Sequence, residues 1–212
     1  DESDVSELKQ KFPNLKFSPY IMSQVIIKGA NSFEGGLLFG VNSADEKQIN
    51  SVVAAGLEDR ELDGYGLLVG QGVKNEMMIN ENDKLTLIFT KNDPSGFALT
   101  PKMKRFDVVS SFSSGLIAYD KSYLYTSVEA LRKILDYEEG KFDGIHVFSN
   151  DPFADIEKIS RELRLGQKAI GWWQQNGNFF SALALEKRAL FIVLMLIILV
   201  ASLNIVSSLL MT

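Results

Sequence analysis

His146 is the chain's single histidine, set in the strand-like run GIHVF, and there is no cysteine anywhere in the 212 residues. That inventory excludes disulfides, thiolate nucleophiles and multi-histidine or thiolate metal centres. A lone histidine in a strand is ordinarily a packed structural residue. Ser110 and Ser111 lack the G-x-S-x-G elbow that exposes a serine nucleophile. GYGLLVG (Gly64–Gly70) begins like a dinucleotide-binding loop, but Val69 stands where the third glycine belongs, and no Gly-Lys-Ser/Thr phosphate loop occurs. The acids Asp59, Glu61 and Asp63, and Asp136, Glu138 and Glu139, fall in polar, turn-like stretches. No enzyme signature survives.

The residues left with a use are apolar and basic. In TKNDPSGFALTPKMKR (90–105), Asp93-Pro94-Ser95-Gly96 is strong turn chemistry, because proline presets φ and glycine supplies positive φ. Phe97, Ala98 and Leu99 follow at once, then Thr100 and Pro101, so a turn holds out apolar side chains where polar ones are usual. Lys102, Lys104 and Arg105 close the stretch as a local basic patch in a chain of net charge −5. A net acidic chain argues against a nucleic-acid partner, which calls for a basic face. Two uses fit the apolar turn: a docking tip for another protein, or a cover over the domain's own core.

A second feature is a long apolar run, which reads as a membrane span, with a buried core helix as the alternative. Ala189–Met211 contains no charged residue, and its 23 residues make a helix of roughly 35 Å, enough to cross a bilayer core. Asn204, Ser207 and Ser208 lie near one face of that helix and suit a helix–helix contact in lipid. Upstream, GNFFSALALEKR (177–188) keeps helical spacing with no breaker, predicting a stalk continuous with the span. Adjacent Trp172 and Trp173 suit either core packing or a membrane-interface belt.

The elements that must position these residues read as follows. Phe17–Gly29 and Phe33–Asn42 are strand-like, and Glu46–Glu58 is a short helix or loop. Tyr65–Ile79 reads as a strand leading into a helix. Asp83–Phe89 and Lys104–Phe112 are strands flanking the apolar turn. GLIAYDKSYLYT is read as a strand, and Ser127 caps a helix over 127–135. FDGIHVFSND is a strand, Asp151-Pro152 starts a helix, and KAIGWWQQN is read as a last strand. The class is α+β.

Several of these segments together resemble the LolC/LolE permeases of lipoprotein-releasing ABC transporters. ALEKRALFIVLMLIILVASLNIVSSLLM is similar to that family's second transmembrane helix, with Glu186-Lys187 before it and Asn204-Ile205-Val206-Ser207-Ser208 within it. GWWQQNGNFFSAL is similar to the tryptophan-containing stretch that precedes it, and LLVGQGVKNEMMINENDKLTLI to a strand–helix–strand of the same proteins. The resemblance implies a two-lobed, MacB-like periplasmic domain: an α/β lobe from 1–45 and 113–176, a β-rich lobe from 46–112, a stalk at 177–188 and a transmembrane helix at 189–211. It implies a hook hairpin at 92–101, with Phe97 as its aromatic, that docks a LolA-type periplasmic carrier. Lys104 and Arg105 correspond to a basic pad beside it, whereas a further pad arginine falls at Thr86. It also implies an excerpt of a longer inner-membrane permease that works with a LolD-type ATPase, a second permease subunit and lipoprotein substrates. That chain would hold no cofactor, since ATP sits on the partner. A MacB- or FtsX-like mechanotransmission permease and a membrane-anchored periplasmic sensor stand as alternatives.

Overall fold

The computed structural model describes residues 1–29, 32–89 and 101–212. Two units follow one another along the chain, Asp1–Asn150 and Asp151–Thr212.

The first unit starts with α1 (Glu2–Lys11), acidic in its first turn and basic in its last, the charge order that suits a helix dipole. β1 (Lys16–Lys28) and β2 (Phe33–Val41) pair antiparallel. Two short helices come next, α2 (Ser43–Ile49) and α3 (Ser51–Leu57). The expectation for 46–58 is a single short helix or loop, and the structure has two helices instead. The break is Asn50, which takes extended φ/ψ and accepts the N–H groups of Val52 and Val53 on its side-chain oxygen, an N-cap in mid-segment. The remaining elements are β3 (Gly66–Gly70), α4 (Gln71–Met77), β4 (Lys84–Phe89), β5 (Lys102–Phe112), α5 (Ile117–Asp120), β6 (Tyr123–Ser127), α6 (Val128–Leu135) and β7 (Gly144–Phe148).

The strands are ordered β2-β6-β3-β5-β4-β1-β7, and β1 also pairs with β2. β1 to β6 therefore close into a ring, and β7 extends it by pairing with the first residues of β1. Closure hides strand edges that would otherwise template aggregation. Alternate residues fill the ring: Ile27, Leu38, Leu67, Leu87, Phe106 and Leu124, one from each strand, are all 0% exposed. Burying one such side chain is worth about 1.5–3 kcal/mol. α4 and α6 add Val73, Met77 and Leu131 to this core. A second cluster lies on the outside of the ring, where Val53 and Leu57 of α3 meet Phe39, Leu68, Phe112 and Tyr125.

Mixed α and β structure was expected and is found. Residues 46–112, assigned from the resemblance to a lobe of their own, supply β3, β4 and β5, which stand in the same ring as strands from either side of them. β3 pairs with β6, and β4 with β1. Gly70, at the end of the glycine-rich run, explains that run without a nucleotide: a Cβ there would lie 2.1 Å from the Asp120 carbonyl oxygen. Glycine permits a close backbone approach. α1 was not read from the sequence. The expected strand over GLIAYDKSYLYT holds only at 123–127. Its first half turns into α5 because the Asp120 carboxylate accepts both the N–H and the hydroxyl of Ser114.

In the second unit, α7 (Pro152–Glu162) is capped by Asp151 and begins on Pro152, as expected. The expected strand at KAIGWWQQN is instead α8 (Trp172–Gln175). There the Gly171 N–H donates to the Gln174 side chain at 3.0 Å, a local closure that outweighs the aromatic strand propensity. Trp173 stacks on Phe153 with centroids 4.2 Å apart, and Trp172 meets Phe180 edge-on at 5.5 Å. α9 (Gly177–Met211) is one unbroken helix of 35 residues, about 52 Å long, long and apolar enough to cross a membrane. Asn204, Ser207 and Ser208 are exposed along it.

Candidate docking face

Pro94, Ser95, Gly96, Phe97, Ala98, Leu99 and Thr100 lie outside the described residues; Pro101 is described and exposed. The strands expected on either side of the turn are neighbours as anticipated. β4 and β5 pair antiparallel from Lys84↔Asp107 to Phe89↔Lys102.

The two pad residues separate. Successive strand side chains point to opposite faces, so Lys104 shares the inner face with Leu87 while Arg105 faces outward opposite Thr86. Lys104 places its ammonium 3.8 Å from the centre of the Tyr65 ring, a cation–π contact at the margin of the core. Lys102, on the same face as Lys104, bonds the Ile134 carbonyl and Asp136, completing the C-terminal end of α6. Arg105 alone of the three presents its charge on the outer face.

That outer face runs on across β1. Thr86 is flanked by Arg105 on one side and Lys28 on the other, and Lys28 stands opposite Phe33 on β2. One step nearer the 90–101 connection, Met103, Ile88 and Ile26 make a parallel apolar row. Met103 is 60% exposed and Phe33 63%.

A buried polar network, missed from the sequence, joins α2, α3 and β7. Glu46 is 1% exposed, and its carboxylate lies 3.3 Å from Nδ1 of His146. Asn50 donates to Glu46 at 3.2 Å and to the Tyr125 hydroxyl at 3.4 Å, and Tyr125 is bonded to Tyr119. Burial alone would raise the Glu46 carboxyl, but the hydrogen bond and charge of His146, with Asn50, hold it below its ordinary value. Burial pushes the Tyr119 and Tyr125 phenols up, so both stay protonated. His146 stacks on Tyr20 with centroids 4.3 Å apart. The arrangement offers no nucleophile; it fastens the α2–α3 pair to β7. The one sequence signal for it was Asn50 placed before Ser51-Val52-Val53, a capping pattern. Among the described residues, no cluster of three or more His, Asp or Glu is placed to hold a metal.

No protein-family model matches the chain. The lipoprotein-releasing system transmembrane protein LolC of Neisseria meningitidis serogroup B is 26% identical over 205 residues, covering 93% of this chain and 49% of the relative. LolC of Buchnera aphidicola subsp. Schizaphis graminum is 28% identical over 199 residues, 92% of this chain and 49% of that one. The Haemophilus influenzae LolE protein is 23% identical over 212 residues, 95% and 50%. The chain is similar in sequence to these LolC and LolE proteins over nearly its whole length. It spans about half the length of the curated relatives it matches.

The extracellular domain of the noncanonic ABC-type transporter YknZ from Gram-positive bacteria superposes on this chain with a TM-score of 0.50 and 11% identity. That match covers 75% of this chain and 77% of that one. It supports the fold alone. The periplasmic region of MacB from Actinobacillus actinomycetemcomitans gives a TM-score of 0.46 at 18% identity, over 74% and 69% of the two chains.

Proposed function

We propose that this chain is part of a permease subunit of a lipoprotein-releasing ABC transporter, with residues 1–176 in the periplasm and 189–211 crossing the inner membrane. The observation that carries the reading is similarity to LolC that runs through both the strand-rich unit and the charge-free helix. In this reading the subunit is not an enzyme and holds no cofactor. A LolD-type ATPase supplies the energy, and a second permease copy or a related subunit completes the membrane part through contacts that include Asn204, Ser207 and Ser208. The 94–101 hook docks a LolA-type carrier, which receives outer-membrane lipoproteins.

Two kinds of interaction would divide the work. Apolar hook residues fill a cavity in the carrier, where anchor side chains dominate affinity. Cations beside them steer and orient the encounter. A MacB- or FtsX-like permease shares the general architecture, as the likeness to YknZ illustrates; the apolar turn between β4 and β5 favours the lipoprotein-releasing reading. The test is co-purification of the full-length protein from its native membrane. Recovery of an ATPase and a LolA-type carrier is expected. Recovery of the ATPase without the carrier, under conditions that preserve other carrier contacts, would favour the MacB- or FtsX-like alternative.

A further inference from the structure

We infer that β7 is a releasable strap: it peels from β1 and swings about Asp143 while the six-stranded ring stays closed, giving the chain that leads to α9 a reserve of length. The inference concerns the fold and does not depend on which partner the chain docks.

The ring is complete without β7. β1 pairs with β2 from Tyr20↔Val41 to Lys28↔Phe33, which closes β1 to β6 on themselves. Among the described strands β7 pairs with β1 alone, over Lys16–Tyr20, and one of its partners there is Pro19, which has no N–H to give. Each ring strand supplies a side chain that is 0% exposed, whereas no residue of Gly144–Phe148 is buried. The far end is the loosest part. Val147 is 39% exposed and Phe148 43%, and the Lys16 ammonium lies 5.9 Å from the centre of the Phe148 ring, the outer limit of a cation–π contact. A segment with so few buried apolar contacts opens well below the cost of global unfolding.

The near end is anchored. The Asp143 carboxylate accepts the Met22 N–H at 2.8 Å and the Tyr137 hydroxyl, and the Asp143 N–H donates to the Tyr20 carbonyl at 3.0 Å. Gly144 follows against the Tyr20 ring, where a Cβ would lie 2.4 Å from the hydroxyl oxygen. Midway, His146 is the clasp: it stacks on Tyr20 and meets Glu46 on α2. When His146 leaves, Glu46 keeps the Asn50 amide as a partner, so opening the strap does not strand a buried carboxylate without a hydrogen bond. Beyond Phe148, residues 149 and 150 separate the strand from Asp151 at the head of α7. Peeling Gly144–Phe148 therefore frees an arm of roughly 17 Å in the connection to the second unit. Movement of the membrane helix is taken up in this arm, because every ring strand is paired along both edges.

The test is hydrogen exchange, read by mass spectrometry, on the full-length permease reconstituted in nanodiscs with its ATPase. After correction for intrinsic rates, peptides covering 144–148 are expected to exchange about tenfold or more faster than those covering β3 and β5. His146→Ala is expected to speed exchange in β7 by about a further tenfold and to leave β3 and β5 unchanged. Melting curves confirm folding, and Phe148→Ser at the exposed end is expected to give the same pattern to a smaller degree. The chain has no cysteine, so Phe17→Cys with Val147→Cys, facing residues on the two strands, makes a single lock; facing antiparallel residues lie within disulfide reach. Oxidation is expected to bring β7 to the exchange rate of the ring and to stop lipoprotein release, with dithiothreitol restoring both. Exchange of β7 at the ring's rate in the unlocked protein, with the ring responding equally to His146→Ala, would overturn the inference. So would full lipoprotein release with the lock closed. A wild-type permease that releases no lipoprotein would overturn the proposed function instead, and the exchange rates alone would then decide the strap.

Discussion

Nδ1 of His146 lies 3.3 Å from a carboxylate oxygen of Glu46, and that carboxylate is almost wholly buried. An ionised buried acid is tolerated only when it is paired and hydrogen-bonded, and here His146 and Asn50 do both. The folded carboxyl is held below its ordinary value. Its contribution to stability is therefore present above the unfolded value of about 4.3 and is lost as pH falls through the folded one. The melting temperature of the chain in detergent should fall as pH drops below the unfolded value of about 4.3. Glu46→Gln should cost about 1–3 kcal/mol at neutral pH and flatten the acid limb. An unchanged acid limb in that variant would show that Glu46 is not the group responsible.

Asn50 serves two elements at once. Its oxygen caps α3, and its amide nitrogen reaches Glu46 and Tyr125. Asn50→Asp should keep the cap but place a second carboxylate against Glu46, whereas Asn50→Ala loses both roles, at about 2 kcal/mol or more. Both variants should melt below wild type in a denaturant titration.

Gly70→Ala tests the close approach of β3 to the Asp120 carbonyl. With only 2.1 Å available for the new carbon, the backbone must shift, and an overpacking cost of about 1–3 kcal/mol is expected. Wild-type stability in this variant would mean that the two backbones can separate freely.

Lys104 and Arg105 should behave differently although they are neighbours. Lys104→Ala removes the contact with Tyr65 and should lower stability by about 0.5–1 kcal/mol. Arg105→Ala should leave stability within about 0.5 kcal/mol of wild type. Equal effects on melting would contradict the outward assignment of Arg105.

Val200 sits at the middle of the charge-free segment. Val200→Asp should oppose membrane insertion by about 2.5–3.5 kcal/mol, read as a loss of membrane-fractionated protein. Insertion at wild-type levels would argue against a lone spanning helix over 189–211.

Much of this was legible in the sequence where one local signal dominated. The 23 uncharged residues announced α9, Asp151-Pro152 announced α7, and Ser127 announced α6. Strands β4 and β5 were legible from alternation and the turn residues between them. Errors arose where a tertiary or capping contact overrode local preference. Ser114 and Asp120 wound α5 out of a strand-like run, and Gly171 with Gln174 did the same for the tryptophans. Closure of the ring through β1–β2 depends on pairings far apart in sequence, which no local pattern encodes. The same holds for the docking face. Lys104 and Arg105 look equivalent as adjacent cations, and only the register with Leu87 and Thr86 separates them and brings in Lys28.

The central claim is that the segment between β4 and β5 docks a periplasmic carrier. It is tested most directly by placing a photo-crosslinking side chain at Phe97 of the full-length permease in living cells. The account predicts a single strong adduct with the LolA-type carrier, lost when Pro101→Ala or Gly96→Asp is added. A cross-link formed only within the permease itself, with no carrier adduct while the transporter is active, would contradict it and make the apolar turn a cover for the chain's own surface.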